Sequence, residues 1–82
     1  MSTIEEVLKT IEAVESLLPS IKDTVFKEKQ ITLLTFGKEL CQAYEANGMT
    51  DSATLEKLNR GSHAILEATL IQMRAEGTSQ SN

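Results

Sequence analysis

A turn between two helices is predicted by Tyr44-Glu45-Ala46-Asn47-Gly48-Met49-Thr50-Asp51-Ser52. Glycine after asparagine is typical of a helix end, because glycine readily adopts the left-handed conformation that follows the last helical residue. Such an ending would also place Met49 against Tyr44. The threonine, aspartate and serine that follow are all good N-caps for a new helix. The stretch therefore predicts a helical hairpin.

Apolar residues recur at helical spacing on both sides of this turn. We expect the earlier helix over residues 21–46, with Ser20 as its N-cap, because Pro19 disfavours helical geometry in the residue before it. Its stripe is predicted to be Val25, Phe26, Leu33, Gly37, Leu40, Cys41 and Tyr44, broadened by Ile31 and Leu34. The later helix is expected over residues 53–76, with a stripe of Leu55, Leu58, Ile65, Thr69 and Met73.

A shorter helix is predicted before the hairpin. Two overlapping capping boxes open it, one joining Ser2 to Glu5 and the other joining Thr3 to Glu6. Its apolar residues follow the helical period and are Ile4, Val7, Leu8, Ile11, Val14 and Leu18. The expected fold class is all-α, with a short N-terminal helix followed by a long antiparallel hairpin.

The composition limits the classes of protein that are plausible. The chain has 82 residues, of which 40% are apolar, and a formal net charge of −4. This predicts one helical domain over residues 1–76 and a disordered polar tail over residues 77–82. The excess of acids argues against binding to a nucleic-acid polymer, and no apolar run approaches the roughly 20 residues of a membrane span. The acidic N-terminus and the lone Cys41 favour a cytoplasmic protein without disulfides.

The short first helix cannot cover the whole hairpin, so part of the fold is expected to be completed by oligomerisation. A chain this small also buries little core and often needs such support. The last helix carries a second apolar face, on which we expect the interface. Its candidate residues are Leu66, Leu70, Ile71 and Met73. The sequence therefore predicts a homo-oligomer.

Two glycines lie at matching distances from the turn. Gly37 precedes Met49 by 12 residues and Gly61 follows it by 12, so the two should sit at one height in the hairpin. Glycine in a helix interior costs about 1 kcal/mol relative to alanine. Either helices pack closely at this height or a ligand occupies it. With Lys38 and Arg60 nearby, that ligand would be a small anion held at a subunit interface.

No arrangement of catalytic residues is evident, and we expect no enzyme, no cofactor and no metal site. Ser62 and His63 are adjacent, so they diverge by about 100° on a helix and cannot pair. His63 and Glu67 are spaced to supply two metal ligands, but a stable site needs two more. Cys41 lies on an apolar stripe, where we expect a buried structural thiol.

Two family resemblances refine this picture. The stretch from Gly37-Lys38-Glu39-Leu40 through the turn to Leu55 resembles the small sporulation aspartyl-phosphate phosphatases, which are helical hairpins. Their Ser-Gln-Glu-Leu-Asp motif is replaced here by Leu58-Asn59-Arg60-Gly61-Ser62, so their activity is not expected. Ile65-x-Glu67-Ala68-x-Leu70-Ile71 is similar to the last helix of phage proteins that sequester cyclic oligonucleotide signals. This second resemblance implies an oligomer that binds anionic nucleotides.

Two functions therefore remain open. The first is a non-enzymatic helical interaction protein, such as a regulator, inhibitor or adaptor, that binds a protein partner through an apolar helix face. The alternative is a phage-type oligomeric sponge that holds anionic cyclic nucleotides at subunit interfaces near Gly37 and Gly61, with Lys38 and Arg60 as the cations.

Overall fold

The computed structural model describes residues 3–48 and 51–77, and these form three α-helices without a strand. Helix α1 spans Ile4–Leu17, α2 spans Thr24–Ala46 and α3 spans Ser52–Ala75. A short 3-10 turn, Leu18–Ser20, lies between α1 and α2. The all-α class and the order of a short helix before a hairpin are confirmed. The predicted Met49 contact, the Ser2 capping box and the tail after Gly77 lie outside the described residues.

Helix α1 begins with the capping box expected at Thr3 and Glu6. The Glu6 backbone N–H donates to Thr3 Oγ1, and the Thr3 N–H donates to Glu6 Oε1, both at 3.1 Å. The predicted stripe of α1 is also confirmed, except that Leu8 is only half-buried. The buried residues of this stripe are Ile4, Val7, Ile11, Val14 and Leu18.

The start of α2 differs from the prediction. Ser20 belongs to the 3-10 turn and Ile21 is extended (φ −80°, ψ 131°) and buried, so the helix does not begin at residue 21. Asp23 is the N-cap instead, and its carboxylate accepts the Phe26 N–H at 3.1 Å. The reason is that Ile21 enters the core as an extended residue, which leaves Asp23 as the next side chain able to cap.

The turn between α2 and α3 agrees with the sequence. Asn47 is the C-cap of α2, and Gly48 adopts a positive φ of 68°. On the other side of the turn, Asp51 caps α3 by accepting the Thr54 N–H at 3.0 Å. Helix α3 therefore starts at Ser52, one residue before the predicted position.

Helix α1 packs against both arms of the hairpin more closely than the arms pack against each other. The resulting molecule is elongated, at 47 × 22 × 15 Å. None of the described helices combines the length and apolar character needed to cross a membrane.

The buried face of α2 matches the predicted stripe only in part. Val25 and Leu33 are exposed, at 67% and 47%, while Gln30, Leu34 and Cys41 are buried. Together with the half-buried Phe26 and Gly37, these positions follow one another at three- and four-residue intervals, so they form one helical stripe. The prediction was wrong at Val25, Ile31 and Leu33 because α2 carries apolar residues on two adjoining faces, and the face with the polar Gln30 is the one that meets the rest of the chain.

Candidate functional site

A groove runs between α2 and α3, with α1 beneath it. Its floor is formed by Val7 and Ile11, and its volume is about 290 Å³. Helix α2 supplies one wall, with Leu33, Phe36, Gly37 and Leu40, and α3 supplies the other, with Lys57, Leu58, Gly61, Ser62 and Ile65. Because these side chains are mostly apolar, the groove offers contact area to a bound molecule and few hydrogen bonds.

The structure brings Gly37 and Gly61 together in this groove. Their environments differ, however. A Cβ atom added to Gly37 would lie 3.3 Å from Ile11 Cδ1, so the close approach of α1 explains this glycine. A Cβ added to Gly61 would meet nothing within 4 Å. Nothing in the described chain therefore requires a glycine at position 61, and the space above it is open.

Large apolar side chains stand exposed at the edge of the groove. Phe36 is 58% exposed and Leu33 is 47% exposed, although both contribute to its α2 wall. Exposed apolar side chains that are clustered, rather than scattered singly, are typical of interaction sites. The groove and its α2 edge together form a continuous apolar surface.

The groove carries little charge. Lys57 is the one charged residue among those that line it. Lys38 forms a salt bridge with Glu15 of α1, and Arg60 is exposed outside the lining. The structure therefore places the two predicted glycines in the groove but does not place the two predicted cations there. The anionic-ligand hypothesis stays a prediction that would need further cations from a second chain.

The predicted interface on α3 is divided between two environments. Leu66 and Met73 are half-buried against the core, whereas Leu70 and Ile71 are exposed, at 40% and 60%. That these four residues form an interface stays a prediction. Of these four residues, only Leu70 and Ile71 are exposed in a single protomer.

A buried polar network joins α2 to α3 beside Ile65, which lines the groove, and this network was not predicted from the sequence. Gln30 Nε2 donates to Thr69 Oγ1 at 3.0 Å and to the Ile65 carbonyl at 3.2 Å, and Thr69 Oγ1 donates to the same carbonyl at 2.9 Å. Gln30 is 4% exposed and Thr69 is fully buried. This network ties α2 to α3 next to the groove. The spacing of Gln30 from Phe26 and Leu34 was the one available sign that it faces inward.

The residues considered for catalysis do not assemble. Ser62 is buried, with its hydroxyl donating to the Asn59 carbonyl at 2.9 Å, while His63 is exposed. No three His, Cys, Asp or Glu residues cluster as metal ligands within the described ranges. The arrangement therefore supplies neither a nucleophile with its base nor a metal-ligand set in the described part of one protomer.

Cys41 is a buried thiol in the core. Burial, and secondarily the carboxylate of Glu45, raise the pKa of this thiol above its ordinary value. Since the thiolate is the nucleophilic form, a raised pKa makes the side chain unreactive near neutral pH. The structural role expected for Cys41 is consistent with this environment.

The groove and the exposed side chains beside it define what this part of the molecule can bind. The arrangement can bind an apolar surface through the groove and the exposed residues beside it. It offers a single cation to an anion. No family model, curated protein or solved structure shows a significant match to this chain.

Proposed function

We propose that this protein is a non-enzymatic interaction module whose groove between α2 and α3 binds an amphipathic helix of a protein partner. The observation that supports this function is the open apolar space above Gly61, bordered by the exposed Phe36. Helix-in-groove binding uses apolar anchors at helical spacing on one partner and an apolar groove between helices on the other.

The size of the groove favours anchor side chains over an enclosed ligand. Its volume of about 290 Å³ lies at the lower limit of small-molecule sites, which span roughly 300–1,000 Å³. A groove this shallow accepts a few side chains of a helix that lies along it. Lys57 at its edge suits an acidic residue on that helix. Regulators, inhibitors and adaptors all work through contacts of this kind.

The test uses amphipathic helical peptides selected by display against the wild-type protein. A selected peptide should bind in the groove, and Gly61→Leu should weaken that binding at least tenfold, because the new side chain fills the open space. Anisotropy of a labelled peptide measures the affinity. Circular dichroism should show that helicity is unchanged, since leucine is a better helix former than glycine.

Ala53→Leu is the matched control, because it adds the same side chain at an exposed α3 position outside the groove. It should leave peptide affinity unchanged. Failure to select any helical peptide, or equal binding to both leucine variants, would contradict the proposal. If Ile71→Asp abolishes binding while Gly61→Leu does not, the partner uses the α3 face predicted from the sequence. A thermal shift with cyclic nucleotides that Lys38→Ala or Arg60→Ala removes would favour the sponge hypothesis instead.

A further inference from the structure

The outer face of α2 carries a second stripe of residues beside the groove. They follow one another at alternating intervals of four and three residues, which is the spacing by which two helices pack side by side. This stripe, the α2 seam, consists of Val25, Lys29, Thr32, Phe36, Glu39 and Ala43, all of them exposed. Exposures of 67% for Val25 and 58% for Phe36 show that the protomer leaves this face largely uncovered.

Two opposite charges interrupt the seam. Lys29 and Glu39 are both exposed, and the one salt bridge in the described part of the chain joins Lys38 to Glu15. Ten residues separate the two seam charges, which is about 15 Å along a helix, and their midpoint is level with Leu34. In an antiparallel pair of such helices, the basic residue of each copy therefore lies opposite the acidic residue of the other copy.

The charges also select a register. In an antiparallel pair with its axis at residue 34, Lys29 faces the partner's Glu39 and, by symmetry, Glu39 faces the partner's Lys29. A slide of one heptad instead sets Lys29 against the partner's Thr32, or Phe36 against the partner's Glu39. A parallel pair would set Lys29 against the partner's Lys29. One arrangement alone pairs both charges with their opposites.

We propose that a second copy of this chain supplies the helix that covers this surface, with α2 packed antiparallel on α2 about a two-fold axis near residue 34. The inference rests on the proposed function, because Phe36 belongs both to the seam and to the groove wall. Each Phe36 lies over the partner's Thr32, and Leu33 lies beside the axis. The Thr32 hydroxyl already donates to the Glu28 carbonyl at 3.1 Å, so its burial leaves no unsatisfied donor.

Charge reversal tests this register. Lys29→Glu places two acids opposite each other at both ends of the seam, and Glu39→Lys places two bases there. Each variant alone should self-associate at least about tenfold more weakly than wild type. An equimolar mixture of the two variants should associate again, because every seam position in the heterodimer then faces its opposite. Sedimentation equilibrium measures the affinities, and the double variant K29E/E39K should associate like wild type.

Lys9→Glu and Glu12→Lys are the matched controls, since they make the same charge changes at exposed positions on α1. Both should associate like wild type. A monomeric wild-type protein, or seam variants that dissociate no more than these controls, would overturn the proposal. Failure to recover association in the mixture would overturn the register.

The outcomes separate this inference from the proposed function. If the protein is monomeric but selected helical peptides bind and Gly61→Leu blocks them, the groove binds a foreign helix and the second copy is excluded. If charge reversal behaves as expected but no peptide is selected, the seam is confirmed as a self-interface and the binding of a separate partner protein fails.

Discussion

The segment before α2 and the helix α2 itself use their apolar side chains in opposite ways. Of the nine buried apolar residues in the described part of the chain, six precede α2, namely Ile4, Val7, Ile11, Val14, Leu18 and Ile21. Helix α2 contributes two, Leu34 and Cys41, although it is the longer helix. The large apolar residues that it leaves 47–67% exposed are Val25, Ile31, Leu33 and Phe36. The first segment closes the core, and much of the apolar surface of α2 remains available for contact outside it.

The same contrast exists within α2. Its buried stripe contains the polar Gln30, while its exposed seam contains the aromatic Phe36. Burial of a glutamine is tolerated because Thr69 and the Ile65 carbonyl accept its N–H groups. By contrast, no contact inside the protomer covers the exposed part of the Phe36 side chain. Contact of the seam with a second copy, as proposed above, would account for this inverted polarity.

The largest expected difference is between a truncation in the buried segment before α2 and a truncation in the exposed seam of α2. Ile11→Ala should lower the free energy of unfolding by about 2–5 kcal/mol, because the residue is 2% exposed and its loss leaves a cavity. Phe36→Ser should change it by no more than about 0.5 kcal/mol, since the side chain is largely outside the core. Urea unfolding at a protein concentration that keeps the chains apart measures both. A loss at Phe36→Ser as large as that at Ile11→Ala would show that this phenylalanine packs in the core of the protomer.

The two groove glycines allow the same comparison between a packed and an open position, with a smaller expected effect. Gly61→Ala should stabilise the protein by about 1 kcal/mol, because alanine is the better helix former and its Cβ meets nothing. Gly37→Ala should gain less or lose stability, because its Cβ must displace the end of the buried Ile11. Thermal unfolding of the two variants, compared under one condition, measures the difference. Equal gains would mean that Ile11 moves aside without loss.

Much of the fold followed from local patterns. The capping box at Thr3, the α1 stripe and the ending at Asn47 and Gly48 each depend on residues within a few positions of one another, so the sequence showed them directly. The start of α2 was missed because Ser20 and Asp23 are both suitable caps. What decides between them is the burial of Ile21, which depends on the packing of the whole chain.

The candidate site was less accessible from the sequence. The common height of Gly37 and Gly61 could be counted from the turn, and the structure places both in one groove. The exposure of Val25, Ile31 and Leu33 could not be predicted, because two faces of α2 are apolar and the local pattern does not say which one meets α1. The Gln30 network depends on Thr69, 39 residues further along the chain. No periodicity within one helix reveals a partner at that distance.

The smallest expected effect concerns the carboxylates of Asp51 and Glu76, which accept backbone N–H groups near the starts of α3 and α2. Hydrogen bonds from Thr54 lower the pKa of Asp51 below its ordinary value of 3.8. The Gln72 amide and the backbone N–H of Lys22 lower the pKa of Glu76 below its ordinary value of 4.5. Glu76 also accepts the Asp23 N–H at 2.9 Å, so it joins the end of α3 to the start of α2.

Because both carboxyl groups have a lower pKa in the folded chain than in the unfolded one, their stabilising effect is complete above the unfolded values and is lost as the pH falls through the folded values. We expect the urea midpoint to fall as the pH is lowered from about 5 through the folded pKa values, which lie below 3.8 for Asp51 and below 4.5 for Glu76. Asp51→Asn should reduce this fall, since asparagine caps a helix equally well without titrating. Glu76→Gln should reduce it too, but with a lower midpoint at neutral pH, because a single amide oxygen replaces the two carboxylate oxygens that accept the Lys22 and Asp23 N–H groups. An acid-induced fall that neither variant alters would place the pH dependence on other carboxylates.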